Sequence, residues 1–241
     1  MKTNRGKLWV IDGADGVGKA TQVELLIKHL NSSDLLKGKR AHHIAFPHYL
    51  EKPWGVLIRQ YLDGKLGQLG EVNPYMASLM YAADRANHAD EINQMLEAGD
   101  WVVCDRYICS NAAFQAAKID DVKAKSEYLD WLFSTEYELF GVVKPDNVII
   151  LTLPTEISTK RTEMRRAEGI ESGQRLNAKV SYTDIHEQNV SFMTKVAREY
   201  LRLSEQFGWE VINCADGNRE LSREEVAQKV WNVVKKSNLV M

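Results

Sequence analysis

Residues 13 to 19 read Gly13-Ala14-Asp15-Gly16-Val17-Gly18-Lys19, the pattern G-x-x-x-x-G-K. Glycines at this spacing let the main chain wrap an anion with its N–H groups turned inward, and the lysine reaches the outer phosphates of a nucleotide. The pattern has meaning only after a buried strand and before an amphipathic helix. Leu8-Trp9-Val10-Ile11 supplies the strand, and Val23, Leu26, Ile27 and Leu30 recur at helical spacing. The N-terminus of that helix adds positive potential. Ala20 stands where Ser or Thr usually ligates Mg²⁺, and Thr21 follows. Either phosphates, water and a nearby carboxylate hold the metal, or the loop binds nucleotide without catalysis.

Asp105 is a candidate for that carboxylate. It closes the apolar run Trp101-Val102-Val103-Cys104, and a carboxylate at such a strand end, beside a phosphate loop, can hold a Mg²⁺-bound water. Arg106, next in the chain, reads as a phosphate-facing partner. Asp105 is not followed by x-x-Gly, and no Asn-Lys-x-Asp occurs, so a GTP switch protein is disfavoured.

The elements that must position these groups alternate. His43 to Phe46 reads as a second strand, stopped by Pro47. Asn73-Pro74 has the cap and first-turn proline of a helix start, and the helix is expected to run to about Leu96, before Gly99. A long helical region is expected from Ser110 to about Phe140, a fourth strand from Val148 to Leu153, and a weaker fifth from Trp209 to Ile212. Ser222-Arg223-Glu224-Glu225 is a capping box, before a helix with Val226, Val230, Val233 and Val234 on one face. Strands apolar throughout, separated by helices, predict an α/β fold with a parallel sheet covered on both faces. Arg165 to Ser181 is polar, contains Gly169 and Gly173, and is expected to be a long loop of the lid kind.

At 241 residues the chain is long enough for one large domain or two small ones, and without an internal repeat or linker it reads as a single domain over 1–241. Its 44% hydrophobic and 27% charged residues are those of a globular protein. With 31 Lys plus Arg against 33 Asp plus Glu, the net charge of −2 argues against a broad nucleic-acid or anionic-membrane surface. No apolar run approaches the roughly 20 residues of a membrane span, and Leu8 to Ile11 is too short for a secretory signal. Cys104, Cys109 and Cys214 form no C-x-x-C and are odd in number, so they read as reduced thiols of a cytoplasmic protein. The six histidines suggest no chelate. His42 and His43 point to opposite faces of a strand, and His29, His88 and His186 read as ordinary surface or edge residues.

Taken together these segments resemble the thymidylate kinase family. The likeness runs through Asp12 to Gln22, Phe46-Pro47-His48-Tyr49, Tyr81-Ala82-Ala83-Asp84-Arg85, Asp105-Arg106-Tyr107, Ser110-Asn111-Ala112-Ala113-Phe114-Gln115 and Lys144-Pro145-Asp146. The resemblance implies a three-layer phosphate-loop fold with five parallel strands, a homodimer, and transfer of the γ-phosphoryl group of MgATP to dTMP. It implies that residues 13 to 21 bind ATP and that Asp15 meets the sugar 3′-hydroxyl. Phe46 and Tyr49 would line the acceptor site. Tyr81 would stack on thymine, although a core aromatic is the competing reading. Arg85 would donate to a thymine carbonyl, and Asn111 and Gln115 would face the ring edge. Phe114 would sit against C2′ and disfavour ribose. Arg106 would hold the acceptor phosphate, and Asp184 would lie near the sugar.

With Gly16 in the loop, where some members carry arginine, the catalytic arginine is expected in the lid. The candidates are Arg161, Arg165, Arg166 and Arg175, with Arg165 or Arg166 favoured. Two rival readings remain: a kinase for another deoxynucleoside or nucleoside monophosphate, and a nucleotide-binding module that has lost catalysis.

Overall fold

The computed structural model describes residues 5–167, 185–186, 189–217 and 219–239. Successive residues of a strand point to opposite faces, and in β1 (Leu8–Asp12) both directions are apolar. Leu8 and Val10 enter one core, Trp9 and Ile11 the other. The same division recurs in β3 (Trp101–Asp105), through Val102 and Cys104 against Trp101 and Val103. It recurs again in β4 (Asn147–Thr152), through Val148 and Ile150 against Ile149 and Leu151. Burying one such side chain stabilises the fold by about 1.5–3 kcal/mol. A sheet hydrophobic on both faces must be sandwiched, and helices cover it on each side.

With β2 (Ala41–Ala45) and β5 (Glu210–Asn213), the strands form one sheet in the order β2-β3-β1-β4-β5. All neighbours are parallel, with Val10 opposite Cys104 and Val148. The chain leaves β1 toward one edge of the sheet and later leaves β3 toward the other. The crevice beyond the carboxyl ends of β1 and β3 is therefore the place where such a sheet binds ligands.

One face packs against α1 (Lys19–Asn31) and α9 (Arg223–Leu239) through Val23, Leu26, Leu30, Val226, Val230 and Val234. The other packs against α4 (Ala89–Glu97), α5 (Ile108–Ala116), α6 (Val122–Ser134) and α8 (Val190–Phe207). The helices α2 (Trp54–Leu62) and α3 (Pro74–Ala86) share a smaller core of Ile58, Tyr61, Leu62, Ala77 and Met80. A helix α7 (Thr155–Ala167) follows β4, and a short hairpin, β6 (Ala215–Asp216) with β7 (Arg219–Glu220), precedes α9.

The caps behave as their residue types require. Asn73 accepts from the Tyr75 amide at 2.8 Å with Pro74 at the first helical position. Ser222 and Glu225 exchange the reciprocal bonds of a capping box at 3.1 and 2.7 Å.

Several expectations are corrected. The helix from Pro74 does not reach Leu96: it ends at Ala86, and α4 restarts after His88. The expected Ser110–Phe140 helix is two helices, the second begun by Asp121, whose carboxylate accepts from the Ala124 amide at 2.7 Å. Its last turn, Thr135–Leu139, widens into a π-helix. The second strand lies at Ala41–Ala45 rather than 43–46, and the fourth begins at Asn147 and stops at Thr152. Residues 165–167 are the end of α7 rather than loop. The remainder of the expected lid, 168–181, lies outside the described residues.

Candidate active site

The phosphate loop is built from main chain. Gly13 takes φ 143°, and an added Cβ would lie 2.3 Å from the Leu151 carbonyl oxygen. Gly16 takes φ 86°, and there a Cβ would meet the Ser158 carbonyl oxygen of α7 at 2.3 Å. In this chain the helix therefore leaves no room for a side chain at position 16. Gly18, at φ 97°, caps α1 without a side-chain acceptor, so the first amides of the helix face the loop. Lys19 opens the helix, is buried, and donates to the carbonyls of Gly13 and Ala14 at 3.0 and 2.8 Å. Burial, together with the Arg106 charge, lowers its pKa against the pull of Asp15, Asp105 and Asp12.

Three carboxylates meet at the ends of β1 and β3, in different states. Asp12 is fully buried and fully used. It accepts from the Gly13 amide (2.8 Å), the Ser110 hydroxyl (2.7 Å), the Tyr200 hydroxyl (2.8 Å) and the Tyr107 amide (3.2 Å). It pins the loop, α5 and α8 together. Asp105 is also buried, but its Oδ1 has no hydrogen-bond partner among the described residues. Burial raises its pKa, opposed by Lys19 and Arg106. A buried, unpartnered carboxylate oxygen beside a phosphate loop fits a magnesium site. Asp15, within the loop, is paired with Arg106.

Arg106 adopts φ 63°, a left-handed conformation that side chains other than glycine enter at a cost of about 1–3 kcal/mol. Its amide donates to the Ile11 carbonyl at 3.1 Å, and its guanidinium reaches Asp15 and, at 3.3 Å, Ser110. Burial opposes its charge, yet Asp15 and neighbouring groups hold its pKa well above the ordinary arginine value. The strained backbone turns this side chain back over the cleft.

Beyond Arg106 lies a cavity with about 530 Å³ of empty space, part of it open to solvent. It brings together Asp15, Phe46, Tyr49, Tyr81, Arg85, Arg106, Asn111, Phe114 and Gln115, which are all the expected acceptor-site residues apart from Asp184. Asp184 lies outside the described residues. Tyr81 is half-buried and lines the cavity, so it is not a plain core aromatic.

A feature absent from the sequence reading orders the cavity floor. Glu136, fully buried in the π-helical turn, takes both Nε and Nη2 of Arg85 in a two-pronged ion pair, the first at 2.6 Å. The same carboxylate accepts from Asn111 Nδ2 at 3.2 Å, and the other proton of that nitrogen goes to the Ser78 carbonyl at 3.2 Å. Both amide protons of Asn111 are thus committed. Its Oδ1 is buried without a partner among the described residues, as is Oε1 of Gln115. The floor presents two carbonyl acceptors and an anchored guanidinium.

His186 is a second residue the sequence reading missed. It is buried rather than superficial, lines the cavity, and its Nε2 lies 2.9 Å from the Tyr61 hydroxyl, to which Lys118 also donates. Among the expected lid arginines, Arg161 places its guanidinium 3.4 Å from the Gly16 carbonyl and pairs with Glu220. Arg165 and Arg166 follow on the same helix, Arg165 one turn further on; their side chains lie outside what is described, as does Arg175. Nothing local in the sequence marks Glu136, which has Glu138 two residues on, or His186.

Comparison with known proteins agrees with this geometry. The family model described as thymidylate kinase matches residues 11–229. A thymidylate kinase of Prochlorococcus marinus (strain NATL2A) is 29% identical over 238 residues, covering 96% of this chain and 97% of that protein. One from Mycobacterium tuberculosis (strain H37Rv) is 30% identical over 158 residues, 66% of this chain and 71% of that protein. A solved thymidylate kinase from Candida albicans superposes with a TM-score of 0.71 at 24% identity, over 97% of this chain and 92% of its own, and so shares the fold. With a family match that spans the phosphate loop and the acceptor cavity and reaches into the last helix, the chain belongs to the thymidylate kinase family.

Proposed function

We propose that this chain transfers the γ-phosphoryl group of ATP directly to dTMP, with the residues described above in the following roles. The observation that carries the reading is the Arg106–Asp15 pair, which stands between the phosphate loop and the acceptor cavity. A triphosphate tail takes the loop amides and draws Lys19 from the Gly13 and Ala14 carbonyls, where burial already weakens its hold on a proton. The acceptor phosphate takes Arg106, and Asp15, released from it, accepts a sugar hydroxyl. Thymine N3 carries a proton and meets the Asn111 carbonyl oxygen, whereas cytosine N3 would set a lone pair against it. Arg85, anchored by Glu136, donates a remaining N–H to a ring carbonyl. Tyr81 covers the ring, and Phe114 leaves no partner for a ribose hydroxyl.

Mg²⁺, held by Asp105 with phosphates and water, would neutralise charge on the transferred group, so the Ala20 position need not supply a ligand. In-line transfer then rests on alignment and charge, with no covalent enzyme intermediate. A lid arginine, Arg165 or Arg166, bridges the two phosphates, while Arg161 steadies the loop. The same reading makes the chain a single kinase domain, a homodimer and a cytoplasmic protein.

The test offers MgATP with dTMP, dUMP, UMP, CMP, AMP and thymidine in turn and follows ADP release. Turnover highest with dTMP is expected. Turnover with thymidine but not dTMP would indicate a nucleoside kinase, and ATP binding without turnover on any acceptor would indicate a decayed module. Light scattering checks the dimer.

A further inference from the structure

On the outer side of the loop that follows β2, two imidazoles and a carboxylate converge: His48, Glu51 and His88 each bring one ligand atom within 4.8 Å of the others. The rings of His48 and His88 stack with centroids 3.7 Å apart, and His88 Nε2 lies 3.1 Å from Glu51 Oε2. We propose that these three residues form a site for a transition-metal dication of the zinc class, separate from the phosphotransfer centre.

Two features support a ligand set over a chance cluster. Each histidine has a carboxylate toward its other nitrogen: His88 Nδ1 lies 3.4 Å from Glu91 Oε2, and His48 Nδ1 lies 3.7 Å from Oδ2 of the buried Asp84. At His88 that is how a metal-ligating imidazole is held in one tautomer with the second nitrogen left as a donor to the metal; at His48 the carboxylate lies beyond hydrogen-bond distance. In addition, His48 Nδ1 is buried with no hydrogen-bond partner among the described residues, and Asp84 is fixed by accepting from the His48 amide at 3.1 Å. A zinc ion about 2.1 Å from each ligand needs ligand atoms about 3.4 Å apart. Glu51 Oε2 already lies 3.1 Å from His88 Nε2, and Glu51 is exposed on a loop and can adjust. Two nitrogens and one oxygen suit zinc, nickel or copper and not magnesium. Three protein ligands leave a coordination position for water.

The site bears on the acceptor cavity. The edge of Phe46, a cavity residue, meets both imidazoles, with centroids at 5.0 and 5.9 Å. His88 precedes α4, while His48 and Glu51 flank Tyr49, another cavity residue. A bound ion therefore ties the loop that carries Phe46, Pro47 and Tyr49 to the start of α4.

The test uses the whole chain, stripped of metal and without nucleotide, so its failure is independent of the kinase reading. Calorimetric titration with zinc chloride should show one ion per chain, and cobalt chloride should give the visible bands of a four-coordinate site. Glu51→Gln and His88→Gln should each weaken zinc at least tenfold with unfolding profiles unchanged, and neither should alter any magnesium heat. Zinc should slow amide exchange in residues 46–51 of the wild type and not of His88→Gln. No zinc binding to the wild type, or the same affinity in both variants, would overturn the proposal; so would unchanged exchange in residues 46–51.

Discussion

The phosphate loop and the acceptor cavity are built in opposite ways, within one crevice. The loop is seven consecutive residues, and what grips the ligand there is mostly main chain, shaped by positive φ at Gly13, Gly16 and Gly18. The cavity draws side chains from the loop after β2, from α2, α3 and α5, from the end of β3 and from His186. Its order comes from one buried carboxylate, Glu136, that satisfies Arg85 and Asn111 together. Main-chain recognition is generic, since any triphosphate presents the same oxygens. Side-chain recognition has a polarity, since donors and acceptors are committed before the ligand arrives. The first region should tolerate changes of ligand base and fail on the addition of a methyl group; the second should do the reverse.

Four experiments break or sharpen that contrast. Lys19→Ala should lower turnover about 10²–10³-fold, the usual cost of losing one charge stabiliser, with the unfolding profile retained because Nζ donates to loop carbonyls and pairs with Asp15 of the same loop; steady-state rates and circular dichroism check both. Gly16→Ala adds only a methyl group, yet it meets the Ser158 carbonyl at 2.3 Å in a left-handed backbone, so ATP affinity should fall tenfold or more, on the order of 1.4 kcal/mol or above. An unchanged dissociation constant would show the cradle is not rigid.

Glu136→Gln keeps the shape and removes the charge, and with it the commitment of Asn111. The preference for dTMP over dCMP should narrow about tenfold while ATP affinity holds, as competition kinetics would show. The smallest effect concerns Lys118, which burial lowers to about 8 from 10.5. Between those values the unfolded chain binds the proton that the folded chain has released. Stability therefore rises with pH across that window, by at most about 1.4 kcal/mol per unit for one group. Lys118→Met should flatten that slope in urea unfolding between pH 8 and 10.

Legibility in the sequence follows the same contrast. The strands β1, β3 and β4 are buried on both faces and read as plain apolar runs, and the phosphate loop is contiguous. Helix breaks were not legible where no proline or glycine marks them, as at Asn87-His88. Tertiary packing, not local propensity, turns the chain there. The helix α8 buries Phe192, Met193, Val196, Tyr200 and Leu203 at helical spacing, and the polar stretch before it hides its start. Apart from Asp15 and Arg106, the expected cavity residues were reached only through resemblance. Glu136 and His186 escaped even that, because nothing local distinguishes a carboxylate or an imidazole that finds its partner 51 or 125 residues away.

The pairing of Arg106 with Asp15 has a further consequence. Each half is the other's stand-in until something replaces both. Orthophosphate would satisfy the guanidinium and leave the Asp15 carboxylate to the more distant Lys19, 3.7 Å away, and thymidine would satisfy the carboxylate and deprive the guanidinium of its counterion. On the proposed roles of these two residues, entry is conditional on two chemical features offered together, an anion and a hydroxyl on one molecule, and the cleft would behave as a coincidence gate with its own counterion as the bolt.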